Sequence, residues 1–132
     1  MADATAPLLL VEDDPTDLFI LQRALRKANV TLPQHVATNG EEAINYLSGV
    51  NQFSELSAFP IPCAVFLDLK MPFISGFEVL EWVRSQPQLC DLNVVVLTGS
   101  SVERDRERAL ALGAKAYLVK PPTPQVLSDV LC

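Results

Sequence analysis

The sequence predicts a doubly wound α/β domain, a five-stranded parallel sheet with helices on both faces. Three observations lead there. Five short apolar runs recur along the chain (LLLV, HVA, CAVFL, NVVVL and AYLV), and most are continuous rather than alternating, as strands buried on both faces should be. Each run is followed by a stretch with helical periodicity or a helix-start signal. No hairpin signal joins any two runs, and strands alternating with helices of about 10–15 residues imply parallel pairing with right-handed crossovers.

The elements follow in order. Residues 1–6, small and polar, read as a disordered leader ahead of a domain spanning 7–132. The first strand, Leu8 to Val11, leads into Asp14-Pro15, an N-cap aspartate with proline at the first helical position. Leu18, Leu21, Leu25 and Ala28 recur at helical spacing to about Asn29, and Phe19 is expected in or near the core. His35-Val36-Ala37 is a weak second strand, with His35 at its surface or edge. Asn39-Gly40-Glu41-Glu42 reads as a capping box before Ala43, Ile44 and Leu47, in a helix ending near Ser48-Gly49.

Residues 50–61 form the longest irregular stretch. Cys63 to Leu67 is the strongest buried-strand signal. Ser75-Gly76-Phe77-Glu78 is a second capping box, opening a helix to about Ser85 that carries Phe77, Leu80, Trp82 and Val83. Asn93 to Leu97 is a β-branched strand, and Ser100-Ser101-Val102-Glu103 reads as a third capping box, starting a charged helix that ends at Gly113. Ala116 to Val119 is a short last strand, and Val126, Leu127, Val130 and Leu131 mark a closing helix from Pro124.

Composition narrows the function. The 132 residues suit one domain, and 49% hydrophobic with 20% charged residues excludes a disordered chain. A net charge of −6 argues against a broad basic face for nucleic acid or for a membrane surface. No apolar run reaches the roughly 20 residues of a membrane span, and the N-terminus lacks the basic start of a signal peptide. Cys63, Cys90 and Cys132 form no CxxC pair and His35 is the sole histidine, so a zinc site is not expected; reduced thiols suit a cytoplasmic protein.

In a doubly wound sheet, ligands bind outside the carboxyl ends of the strands. Those ends carry Glu12-Asp13-Asp14, Asp68, Thr98 and Lys120. Each could be a surface acid, a cap or a turn residue; together they make a set with a restricted chemistry. Clustered carboxylates repel one another and call for a cation, and hard oxygen donors with room for water suit Mg²⁺. A carboxylate beside Mg²⁺ can attack a phosphoryl group, with a lysine and a hydroxyl taking up the phosphoryl oxygens. Asp68, ending the most apolar strand, is the candidate nucleophile.

The segments LLLVEDDP, VFLDLKMP, VVLTGSS and AYLVKPP, in this order at these strand ends, resemble the receiver domain of two-component response regulators. The resemblance covers nearly the whole chain and implies a flavodoxin-like strand order 2-1-3-4-5. It makes Asp68 the phosphoacceptor, to be phosphorylated by a histidine kinase. It implies a Mg²⁺ site from Glu12, Asp13, Asp68 and the backbone carbonyl of Lys70, a responding hydroxyl at Thr98, and a phosphoryl-pairing lysine at Lys120 with a cis Lys120-Pro121 bond. Tyr117 corresponds to the switch aromatic. Lys70 and Ser100 fall at two variable positions that tune phosphate lifetime. The VEDDP opening and the long 50–61 segment are similar to single-domain regulators that partner phytochrome-type or other hybrid-free histidine kinases.

The sequence ends one short helix past Lys120, which predicts a signalling module whose only catalysis is on itself. Its output face would be the fourth helix, fifth strand and fifth helix, including Arg104 and Arg108, which also offers a homodimer contact. Three alternatives stand beside this reading. A Mg²⁺-dependent phosphatase of the haloacid dehalogenase class needs a second Asp two residues after the nucleophile, where Lys70 stands. A flavodoxin-like cofactor binder needs a phosphate loop where EDDP stands. A pseudo-receiver acting by contact alone usually lacks one of the acids, the threonine or the lysine, and all are present.

Overall fold

The computed structural model describes residues 6–49 and 61–131. The strands are β1 (Leu8–Val11), β2 (Gln34–Ala37), β3 (Ala64–Leu67), β4 (Val94–Thr98) and β5 (Ala116–Val119). The helices are α1 (Pro15–Lys27), α2 (Gly40–Ser48), α3 (Gly76–Ser85), α4 (Glu103–Ala111) and α5 (Pro124–Leu131), with a 3-10 turn at Pro87–Leu89. All strand pairs are parallel in the order β2-β1-β3-β4-β5, the expected doubly wound arrangement.

The continuous apolar runs arise because both faces of the sheet are covered. Leu9, Val11, Val65, Leu67, Val94 and Val96 face one core with Ala43, Leu47, Val79, Leu80 and Val83 of α2 and α3. Leu8, Leu10, Phe66, Val95 and Leu97 face the other with Leu21 and Leu25 of α1 and Leu127 of α5. Every residue of the three interior strands β1, β3 and β4 is buried, so the chain leaves them at well-held points.

Local signals behave as their chemistry requires in two cases. Asp14 caps α1, its carboxylate accepting from the backbone N–H groups of Thr16 (2.8 Å) and Asp17 (3.2 Å). Ser75 and Glu78 close a full capping box on α3. Gly76, which follows, lies against the chain leaving β3: a Cβ there would sit 2.7 Å from Leu69 Cα and collide with the Asp68 carbonyl oxygen. This glycine lets α3 pack directly onto the backbone that carries Asp68.

Other expectations are corrected. Asn39 caps α2, but the Glu42 carboxylate accepts from Thr38 N–H (2.9 Å) rather than completing a box with Asn39. Ser100 caps no helix: α4 begins at Glu103 behind Val102, which makes no side-chain cap. The Ser100 hydroxyl is instead buried, donating to Asp105 (2.8 Å) and accepting from Val102 N–H (3.2 Å). Phe19 is 59% exposed, because it stands one residue and about 100° around α1 from Leu18, off the Leu21–Leu25 stripe. Of the leader expected at 1–6, Ala6 is buried and its carbonyl accepts from the Cys63 thiol; residues 1–5, Cys132 and most of the 50–61 stretch lie outside the described residues. His35 does lie on edge strand β2, as expected, with its ring 5.4 Å from that of Tyr46.

Candidate functional site

The carboxyl ends of β1, β3, β4 and β5 converge. Parallel pairing does this locally: Asp68 N–H donates to Val11 O (3.1 Å), and Lys120 N–H donates to Thr98 O (2.8 Å). Glu12 and Asp68 are thereby set side by side at the end of the β1–β3 pair. Glu12, Asp13 and Asp68 each offer a carboxylate oxygen within 4.8 Å of the others, the single group of this kind among the described residues that could hold a metal ion. Glu12 and Asp68 are buried and Asp13 is exposed.

Lys120 Nζ reaches into this cluster from β5. It donates to Glu12 Oε2 (2.8 Å), Asp17 Oδ2 (2.8 Å) and Asp68 Oδ2 (3.2 Å). The other Asp68 oxygen accepts from Lys70 N–H (3.3 Å), whose side chain is exposed. Glu12 also accepts from Asp14 N–H (3.2 Å), which ties the acid pair to the α1 cap.

The electrostatics follow from crowding. Burial pushes the Glu12 carboxyl up to about 7, and the Asp68 charge adds to the rise, against the Lys120 hydrogen bond that opposes it. Burial alone would lower the Lys120 ammonium; the hydrogen bonds to Asp17 and Glu12 and the charge on Asp68 outweigh it and raise its pKa. One ammonium thus partly compensates several carboxylates, and a site with spare negative charge remains. Its donors are hard oxygens with no thiol or imidazole, a set that fits Mg²⁺ or Mn²⁺.

Thr98 ends β4 fully buried, with its hydroxyl oxygen accepting from Ser100 N–H (3.4 Å). Tyr117 is half-buried on β5 and donates its phenol hydrogen to Ser100 O (2.9 Å). The Lys120-Pro121 bond is cis, as the resemblance implied.

Asp17 is the neighbour of this cluster that sequence reasoning missed. An acid in the first helical turn has an ordinary explanation, favourable interaction with the helix dipole, and nothing local marks it as a partner of a lysine 103 positions away. Asp14, by contrast, is the helix cap it was expected to be.

A sequence profile described as the response regulator receiver domain matches residues 8–131. The response regulator Rcp1 of Synechocystis sp. is 32% identical over 123 residues, covering 91% of this chain and 82% of that protein. A structure of Rcp1 in its Mn(2+)-bound form has a TM-score of 0.79 at 28% identity, over 96% of this chain and 89% of its own. The bacteriophytochrome response regulator RtBRR has a TM-score of 0.84 at 36% identity, over 96% of this chain and 75% of its own. The phosphorylated cyanobacterial phytochrome response regulator RcpA has a TM-score of 0.82 at 30% identity, over 97% and 90%. Some curated relatives are much longer: the chain spans 36% of the length of the phosphate regulon transcriptional regulatory protein PhoB of Escherichia coli, to which it is 37% identical over 86 residues. With its five parallel strands, its strand-end acids and this match across nearly all of its length, the chain belongs to the response regulator receiver domain family.

Proposed function

We propose that Asp68 accepts a phosphoryl group from a phosphohistidine on a partner histidine kinase, and that the modified domain signals through the face of α4, β5 and α5. The observation that carries this reading is the meeting of Asp68 with Lys120 at 3.2 Å inside the Glu12–Asp13–Asp68 cluster. An Asp68 oxygen attacks phosphorus, an O–P bond forms, and the histidine N–P bond breaks. Lys120 offers its positive charge to the phosphoryl oxygens, and Thr98 offers a hydroxyl at the neighbouring strand end. Glu12, Asp13, Asp68 and the Lys70 carbonyl are the residues that would hold Mg²⁺. When bound, that cation supplies the charge that balances the acids and the incoming phosphoryl group.

The likeness to phytochrome response regulators supports a phytochrome-type histidine kinase as the donor. The acidic overall charge supports a protein rather than a nucleic acid as the receiver of the signal. No described helix is long and apolar enough to cross a membrane. Intact mass measured after treatment with a small phosphodonor and Mg²⁺ tests the assignment. One base-labile phosphoryl group is expected in the wild type and none in Asp68→Asn; stoichiometric labelling of the variant would remove Asp68 from the role.

A further inference from the structure

A lysine ammonium has three N–H donors. In this protein three carboxylates use them, those of Glu12, Asp17 and Asp68. A phosphoryl group on Asp68 takes over that residue's own bond to the ammonium and brings further acceptor oxygens, which compete with Glu12 and Asp17 for the two remaining N–H donors. The three are not equivalent. The side chains of Glu12 and Asp68 are 5% and 8% exposed and belong to the acid trio, whereas that of Asp17 is 35% exposed and stands outside it. Releasing Glu12 strands a buried carboxylate away from water, while releasing Asp17 returns a carboxylate to solvent at little cost. Space is present as well: Asp17, Ile20, Leu97, Lys120, Pro121 and Pro122 line a cavity of about 260 Å³.

We propose that Asp17 is a positioning residue that competes for Lys120: it holds the ammonium in the unmodified protein and is the partner Lys120 gives up when phosphoryl oxygens arrive at Asp68. This rests on the phosphoacceptor reading above and adds a residue that sets how readily the modified state forms. Removing Asp17 therefore strengthens the hold on the phosphoryl group. That is the opposite of what loss of a merely structural ion pair does.

The test is a titration with beryllofluoride, a phosphoryl mimic, at saturating Mg²⁺. Bound mimic is read by ¹⁹F NMR in the wild type, Asp17→Ala, Asp17→Asn and Asp68→Asn. The apparent Kd is expected to fall about two- to fivefold on loss of Asp17, the size appropriate to a half-exposed ion pair. The melting temperature of the metal-free protein is expected to drop slightly in the same variants, so binding and stability move in opposite directions. Unchanged or weaker binding in both Asp17 variants overturns the proposal while leaving the phosphoacceptor reading intact. A wild type that does not bind the mimic, or an Asp68→Asn variant that binds it equally well, overturns that reading and this inference with it.

Discussion

The phenol of Tyr117 donates to the backbone carbonyl of Ser100 at 2.9 Å and so ties β5 to the loop that leaves β4. The same serine donates its N–H to the Thr98 hydroxyl and its own hydroxyl to Asp105 of α4. Ser100 thus links a strand-end hydroxyl at the acid site to two elements of the proposed output face, α4 and β5. Arg108 of α4 stacks over the Phe77 ring at 4.1 Å, which anchors that helix to α3.

From this link comes the first expectation. A charge-assisted bond from Thr98 to a phosphoryl oxygen withdraws the threonine from Ser100 and shifts the loop that Tyr117 holds. The phosphate biases a two-state element and does not create one. Binding of a protein partner, or self-association through α4, β5 and α5, should rise with beryllofluoride in the wild type and lose most of that rise in Thr98→Ala. Retention of the full gain by the variant would break the proposed route from Asp68 to Tyr117.

Metal should stabilise the fold. At an effective dielectric near 20, two buried carboxylate charges about 5 Å apart repel by roughly 3 kcal/mol, part of which Lys120 offsets. Mg²⁺ relieves the rest, so millimolar Mg²⁺ should raise the melting temperature by ligand linkage. Asp13→Asn removes the exposed donor and should blunt the rise, as thermal melts with and without chelator would reveal. An equal Mg²⁺ response in the variant would place the metal elsewhere.

The pH dependence has a definite sign. Glu12 titrates near 7 in the folded chain against 4.5 as a free side chain. The native state therefore binds the extra proton between those values, and stability falls as pH rises through that window. By linkage the full effect is on the order of 3 kcal/mol, reached above pH 7 and absent below about pH 4. In chelator, Glu12→Gln should flatten this part of the curve relative to wild type. Mg²⁺ binding should also tighten with pH up to about 7 and release a proton below it. Matching stability–pH slopes in the two proteins would show that Glu12 does not carry the proton.

A methyl group at Gly76 should matter more than its size suggests. It would press on Leu69 Cα at 2.7 Å and on the Asp68 carbonyl, backbone atoms that cannot swing aside. Gly76→Ala is expected to cost about 1–3 kcal/mol, the range for overpacking, in denaturant unfolding. It should also slow phosphorylation of Asp68, because the shifted backbone carries the nucleophile. Wild-type stability in the variant would show that α3 can retreat freely from β3.

The sequence alone determined the element order, the parallel sheet and the identity of Glu12, Asp13, Asp68, Thr98 and Lys120 as strand-end residues. Buried strands write continuous apolar runs, helix caps such as Asp14-Pro15 and Ser75–Glu78 act within four residues, and the topology then gathers the strand ends. What the tertiary structure decided are the matters of neighbourhood and water. Asp17 became a partner of Lys120 across 103 positions, a contact no local pattern encodes. Ser100, a convincing cap by spacing, spends its hydroxyl on Asp105 because burial leaves that donor no water to turn to. Phe19 stayed in solvent because the α1 stripe facing the sheet is narrower than its run of apolar residues. Glu12 holds its proton to near neutral pH because desolvation and the charge on Asp68 exist only once β1 and β3 lie side by side.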